Sequence, residues 1–283
     1  MSTSVHTLVG MTLDSTNIAV QGVGYNLNPE YLKAKATATV AFDMVAKTGF
    51  SPQITAETYD LKTLSSILNN GFSKTISTAY IYAGKVTGTP SDPSIYYQGT
   101  GSLRLEADDS LLLLNSISVD KRQPLRCELV LRGSLLDSTS YDIQNFSVTH
   151  KGIYTASSFE VTDGTNTLVE CGINNLTFNL NPSFYDHYET ALMPEFSAVT
   201  GFDPQMSATV LLSGASDLLA LTTCADLKLN LVKFQPCGAE PIDAGSITFG
   251  NATFSVENVD MKLGDVATAQ IVAFPKSITI SIT

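Results

Sequence analysis

The chain repeats a stretch of its own sequence. The repeated blocks are Asn26-Leu27-Asn28-Pro29 with Asn179-Leu180-Asn181-Pro182, and Thr48-Gly49-Phe50-Ser51-Pro52-Gln53 with Thr200-Gly201-Phe202-Asp203-Pro204-Gln205. Their offsets are 153 (179 − 26) and 152 (200 − 48), so a single-residue gap brings eleven identities into register, nine in these blocks and two at Ala46/Ala198 and Ala56/Ala208. Chance alone predicts roughly two matches in about thirty positions. Because 283 residues also suit two domains better than one, we predict two copies of one domain, residues 1–140 and 141–283.

Alternating apolar residues predict that both copies are built from half-buried strands. Val23 and Tyr25 alternate with glycine and polar residues, and Leu176 and Phe178 do so at the same offset of 153. The last residues, 277–282, alternate in the same way. A period of two places one face of a strand on a core and the other in water.

Each copy also contains one candidate for a short helix. In the first copy, Asp60 precedes an apolar stripe over residues 61–68, and in the second, Ser216 or Asp217 can cap residues 218–223. The predicted fold class is therefore mainly β (α+β): two tandem, duplicated β-sandwich or half-barrel domains, each with one short helix.

The two copies differ by one insertion. After the helices the offset falls from 157 (217 − 60) to 142 (257 − 115), so the first copy is longer by 157 − 142 = 15 positions. They lie near 85–99, a stretch rich in turn residues that ends near Tyr96 and Tyr97. We predict a projecting loop whose tyrosines suit a protein interface, although an edge hairpin packed on its own domain explains them nearly as well. The connection between the copies is predicted at residues 137–144.

Composition and charge exclude several classes of function. Residues 1–145 hold 11 Lys+Arg and 13 Asp+Glu, whereas residues 146–283 hold 5 and 14, so the second half carries most of the net charge of −11. No cluster of Lys and Arg is present to bind phosphates, which disfavours specific nucleic-acid binding. Solvation of an acidic surface is the ordinary interpretation of such a balance.

No motif indicates catalysis or a bound cofactor. The three histidines are far apart in sequence, and neither GxSxG nor HExxH occurs. We therefore expect no enzyme activity, no cofactor and no metal. The four cysteines have no CxxC spacing and are expected to be free, buried thiols. No stretch is apolar enough for a signal sequence or a membrane span, so we expect a soluble protein made in the cytoplasm and no membrane partner.

The repeated glycine and proline predict a fixed turn in each copy, because glycine permits positive φ and proline fixes φ and lacks an N–H. Such a turn either records a shared fold or faces a neighbouring subunit. The candidate subunit-interface residues are Gly49, Phe50, Pro52, Gly201, Phe202 and Pro204.

These features together resemble one family, the major tail tube proteins of long-tailed bacteriophages, in the form in which one chain carries two fused tube domains. The resemblance is carried by the duplication, the strand-rich halves with one helix after the second block, the lack of catalytic residues, and the T-G-F-x-P-Q turns at 48–53 and 200–205. It covers nearly the full length, in architecture more than in specific motifs.

The resemblance implies a virion structural protein of the phage tail, made in the host cytoplasm. Three chains would form a ring of pseudo-sixfold symmetry, and stacked rings would form a tube for DNA ejection, with an acidic lumen that repels phosphate. Its partners would be further copies of itself and other tail proteins, and Tyr96 and Tyr97 would be candidates for contacts between rings. Two alternatives stay open: a tandem β-sandwich that binds a host surface or glycan, and a hub or distal tail component that forms a single ring.

Overall fold

The fold was obtained as a computed structural model, which describes residues 5–26, 28–34, 44–87, 96–133, 136–141, 152–164, 166–188, 194, 196–212, 224–235, 239–261 and 266–283. The elements of the first half are β1 (Val5–Leu13), β2 (Thr16–Ile18), β3 (Gly22–Asn26), β4 (Pro29–Ala34), β5 (Met44–Phe50), β6 (Gln53–Thr58), α1 (Leu61–Leu68), β7 (Ser73–Thr87), β8 (Tyr96–Asp120), β9 (Arg126–Arg132) and β10 (Leu136–Tyr141). Those of the second half are β11 (Tyr154–Thr162), β12 (Thr167–Asn179), β13 (Pro182–His187), β14 (Phe196–Phe202), β15 (Gln205–Leu211), β16 (Ala225–Lys233), β17 (Ile242–Asp260), β18 (Thr268–Phe274) and β19 (Ser277–Ile282). The prediction of a mainly β fold is confirmed.

Most of these strands belong to one antiparallel sheet that runs through both halves. Its main order is β11-β16-β17-β18-β15-β12-β8-β7-β1-β2, and β3, β6, β9, β10 and β19 join it as branches. The pairs β4–β5 and β13–β14 form separate two-stranded hairpins. The contact between β8 and β12 is the ladder that connects the first half of the sheet to the second.

The strand ladders of the first half recur in the second half in the same register. In β3–β6, Tyr25 lies opposite Ile54, and in β12–β15, Phe178 lies opposite Met206; these are the same positions at offsets of 153 (178 − 25) and 152 (206 − 54). The ladders β6–β9 and β15–β18 also match position for position. These ladders therefore have corresponding registers in the two halves.

Irregularities in the ladders recur at equivalent positions as well. The bulge after Glu30 in β4–β5 recurs after Ser183 in β13–β14, again at the offset 183 − 30 = 153. The bulge after Leu114 in β8–β9 recurs after Val256 in β17–β18, at the offset 256 − 114 = 142. A β-bulge is a specific local feature of a strand pair, so its recurrence makes chance similarity of two sheets a poor explanation.

Helix α1 begins and ends as predicted. The Asp60 side chain accepts a hydrogen bond from the Thr63 backbone N–H, and Asn69 ends the helix in the left-handed conformation, with φ 48°. Its apolar side chains join a core that includes residues of both halves. The helix predicted at residues 218–223 lies outside the described residues. Within the part of the chain that the structure describes, no helix has the length and apolarity that crossing a membrane requires.

The repeated glycines do not form the predicted turns. Gly49 lies within β5 and Gly201 within β14, and neither has the positive φ on which the prediction rested. The chain does not reverse at Ser51-Pro52 either: Pro29 lies opposite Phe50 and Asn26 opposite Gln53, so the pairing resumes in the same register beyond the proline, and the same holds at Asp203-Pro204. Strand pairing thus extends through both glycines, and the proline alone ends each strand.

Three smaller predictions are also corrected. Residues 85–87 and 96–99 of the predicted loop belong to β7 and β8, where Val86 lies opposite Tyr97 and Thr87 opposite Tyr96, while residues 88–95 lie outside the described residues. Residues 137–141 of the predicted connection belong to β10, which pairs with β8. Cys224 is exposed, unlike the buried Cys127 and Cys171.

Candidate functional site

The two halves of the molecule meet at a junction formed by one strand of each half. Its backbone is the antiparallel ladder between Ser116–Asp120 of β8 and Asn175–Asn179 of β12. Within it, Leu176 lies opposite Val119, and Phe178 lies opposite Ile117. All four side chains are buried, so this ladder combines backbone hydrogen bonds with a closed apolar layer.

Aromatic side chains from both halves close the apolar side of the junction. The Phe178 ring stacks on Phe72, with centroids 5.7 Å apart, and its centroid lies 5.4 Å from that of Phe249. Phe72 also contacts Phe202, with centroids 6.1 Å apart. Stacked and tilted pairs add stabilisation beyond the area that they bury. Phe178 is therefore the residue through which both halves share one core.

A polar cluster holds the β13–β14 hairpin of the second half against the first half. The Arg132 guanidinium forms an ion pair with Asp186, with 3.3 Å between Nε and Oδ1, and lies 4.1 Å from the centre of the Phe184 ring. The hydroxyls of Ser51 and Ser197 each donate to the same carboxylate at 2.6 Å. A buried ion pair whose remaining lone pairs are satisfied in this way specifies one geometry.

The same cluster perturbs the Asp186 carboxyl group. Burial alone would raise its pKa, but hydrogen bonds from Arg132, Ser197 and Ser51, together with the positive charge of Arg132, lower the pKa below its ordinary value of 3.8. A carboxyl whose pKa is lower in the folded state stabilises the fold above its unfolded pKa, and this contribution is lost as the pH falls through the folded value.

An Asp186→Asn variant should therefore lose stability mainly at neutral pH. We expect its free energy of unfolding at pH 7 to fall by about 2 kcal/mol, because Arg132 keeps little solvent and loses its counter-charge. Below about pH 4 the difference from the unmodified chain should begin to shrink, because the carboxyl of the unfolded chain binds a proton there, and it should disappear as the pH falls through the lower pKa of folded Asp186. Urea unfolding at a series of pH values measures this, and an equal loss at pH 7 and pH 2 would contradict it.

Two of the predicted turn residues of the first half, Gly49 and Phe50, contact the second half. A Cβ placed on Gly49 would come within 3.0 Å of the Tyr188 ring, and the Tyr188 hydroxyl donates to the Phe50 carbonyl at 2.8 Å. Pro52 is buried. Gly49 is thus required for close approach of an aromatic ring and not for backbone conformation.

Their counterparts in the second half are more exposed, although Phe202 also contacts Phe72 of the first half. A Cβ on Gly201 would meet nothing within 4 Å, and Phe202 is an exposed aromatic residue. Pro204 is partly buried. The structure therefore brings Gly49 and Phe50 into contact with Tyr188 of the second half, whereas the role of Pro52, Gly201, Phe202 and Pro204 in an interface stays a prediction.

The strand edges that are equivalent to the junction are open as well. Among the described residues, β3 pairs on one edge only, with β6, although its equivalent in β12 pairs on both. Near the end of β17, Asn258 and Val259 pair with β18 on one edge. Among the described residues, no strand pairs with their other edge. Unpaired strand edges are templates for pairing with another chain.

Exposed apolar side chains mark these open edges. Tyr25 is 43% exposed, whereas its equivalent Phe178 is 0% exposed. Met261 is 68% exposed, whereas its equivalent Val119, at the offset 261 − 119 = 142, is 4% exposed. Each half thus presents to solvent the apolar surface that the other half buries in the junction.

Sequence patterns did not indicate the residues that build this site. Arg132 and Asp186 are distant in sequence and carry no motif, Tyr25 is an ordinary strand residue, and Met261 directly follows the last residue of β17. The available signal was the repeat itself, since aligning Tyr25 with Phe178 pairs two aromatic positions. Within the described residues, no group of three or more His, Cys, Asp and Glu side chains is arranged to hold a metal ion.

Comparison with known proteins identifies no relative: no protein-family model matches the chain, and no curated protein matches it.

Proposed function

We propose that this chain is a structural protein of a virion, which associates head to tail into a closed ring and whose rings stack into a tail tube for the passage of DNA. One observation carries the proposal. The internal junction joins one surface of the first half to a different surface of the second half, and the equivalent surface of each half is open and apolar.

The geometry of these surfaces favours a ring over a simple dimer. The open surface of the first half, on β3, differs from the open surface of the second half, at the end of β17, so a second chain adds head to tail. Head-to-tail contacts generate rings when the rotation closes, and filaments when it does not. Three chains with two repeats each give the pseudo-sixfold ring that the resemblance to tail tube proteins implies, and closure removes both exposed edges.

The charge of the chain is compatible with a DNA conduit. The net charge is −11, and the second half contributes most of it. A negative wall repels phosphate, so DNA would pass without being held. In a reconstructed tube, a lumen lined mainly by acidic side chains is the expected result, and a neutral or basic lining would refute this role.

Electron microscopy of the purified protein tests the proposal. We expect six-lobed rings and tubes, and a ring mass of three times the 30.2 kDa chain in native mass spectrometry. Single rings that never stack would favour a hub or distal tail component. Two-lobed single chains at high protein concentration would contradict self-assembly and favour the surface-binding alternative.

A further inference from the structure

We propose that the seam between neighbouring chains is an antiparallel ladder between β3 and the end of β17 of the partner subunit, in the register of the internal β8–β12 ladder. Tyr25 would lie opposite Val259 of the partner subunit, and Val23 opposite Met261 of the partner subunit. This inference rests on the proposed ring, and it specifies which residues close that ring.

The register follows from the internal ladder and the offsets between the halves. The internal ladder places Phe178 opposite Ile117 and Leu176 opposite Val119. On the β12 side the offset is 153, and on the β8 side it is 142, as the matched ladders establish. Subtracting 153 takes Phe178 to Tyr25 and Leu176 to Val23. Adding 142 takes Ile117 to Val259 and Val119 to Met261.

The side chains at these positions fit a seam that excludes water. Tyr25 and Met261 are exposed in the single chain, and Val23 and Val259 are partly buried, so all four would lose exposed apolar surface on pairing. Burial of apolar area provides the main driving force for association. The seam would therefore gain the same kind of closed apolar layer that Phe178 and Val119 form in the internal ladder.

A second contact between chains follows from the polar cluster. The position of Phe184, which lies beneath Arg132, corresponds to Tyr31 (184 − 153), and the position of Arg132 corresponds to Phe274 (132 + 142). Tyr31 and Phe274 are both exposed, so an aromatic pair would replace the cation–aromatic contact.

The sequence also places unlike charges at equivalent positions of the same contact. The position of Asp186 corresponds to Lys33 (186 − 153), and that of its hydrogen-bond partner Ser51 corresponds to Asp203 (51 + 152). Opposite charges at these two sequence positions are compatible with contact between the chains.

Disulfide trapping tests the register. The variant Val23→Cys/Met261→Cys places two thiols directly opposite each other, at a separation that a disulfide can span. The mismatched control is Val23→Cys/Val259→Cys, whose positions are diagonal and too far apart. Both are made with Cys224→Ser and Cys237→Ser. Native Cys127 and Cys171 can remain because both are buried, and burial raises the pKa of the Cys127 thiol to about 12.

After mild oxidation, the matched pair should convert most of the monomer band on a non-reducing denaturing gel into bands of two and three times 30.2 kDa. The mismatched pair should stay mainly monomeric. Micrographs are taken of the same samples before oxidation, and of single-cysteine variants, which carry only one of the introduced cysteines. They show whether rings form before oxidation.

The outcomes separate the register from the ring. Rings with trapping of the matched pair support the inference. Rings in which the mismatched pair traps equally well, or in which neither pair traps, overturn the register and leave the proposed function standing. If the unmodified chain and the single-cysteine variants form no rings, both the seam and the proposed function are refuted.

Discussion

A Tyr25→Glu variant is expected to remain a single chain at concentrations at which the unmodified chain forms rings. In the single chain Tyr25 is 43% exposed, so a carboxylate there can stay in contact with water and should leave the chain folded. In the proposed seam the same carboxylate would be buried without a counter-charge, which costs several kcal/mol. Association at each seam should weaken by at least about a hundredfold. Sedimentation velocity over a range of protein concentrations measures the shift.

Leu168→Glu is the matched control for this prediction. Leu168 has a similar exposure, 45%, and lies on β12 outside the ladder with β8. It should therefore form rings as the unmodified chain does. Normal ring assembly by the Tyr25 variant would show that β3 is not part of the seam, and equal loss of assembly by both variants would show that any added charge disrupts the ring.

The largest loss of stability is expected from Phe178→Ala. Phe178 is completely buried and contacts Phe72 and Phe249, so the truncation leaves a cavity in the core that both halves share. Changes of this type cost about 4 kcal/mol. Urea unfolding, followed by circular dichroism, measures the free energy of unfolding and its dependence on urea concentration.

Tyr25→Ala is the equivalent change in the other half and gives an internal comparison. The two residues occupy the same position of the repeated ladder, but Tyr25 has no covering strand on its open edge in the described structure. We expect a loss below about 1 kcal/mol in the single chain. Equal losses from both truncations would contradict the assignment of one edge as internal and the other as open.

The local structure was largely predictable, because it depends on patterns within a few residues. The alternation around Tyr25 and Phe178 identified strands, and Asp60 followed by an apolar stripe identified α1. The Gly49 turn was predicted wrongly, since a glycine before a proline also fits a strand that an aromatic ring approaches closely. Only the contact with Tyr188, which lies in the other half of the chain, distinguishes these cases.

The candidate site was less predictable than the fold. The repeat identifies Phe178 and Tyr25 as equivalent, but sequence alone does not state which of the two is covered by the rest of the chain. The Arg132–Asp186 pair could not be predicted from the repeat. The equivalent positions in the other half carry different residues, Phe274 and Lys33. Because the residues differ at equivalent positions, the repeat gave no sign of this contact. Such differences are expected when one junction is internal to the chain and the other is not.

The internal β8–β12 ladder has a consequence for how a ring would come apart. In the proposed ring, every second seam lies within a chain and is held together by a covalent backbone, so its closure does not depend on protein concentration. Dilution can open only the remaining seams, by mass action. Disassembly should therefore stop at intact two-lobed chains, and three association steps, not six, should set the concentration at which rings appear.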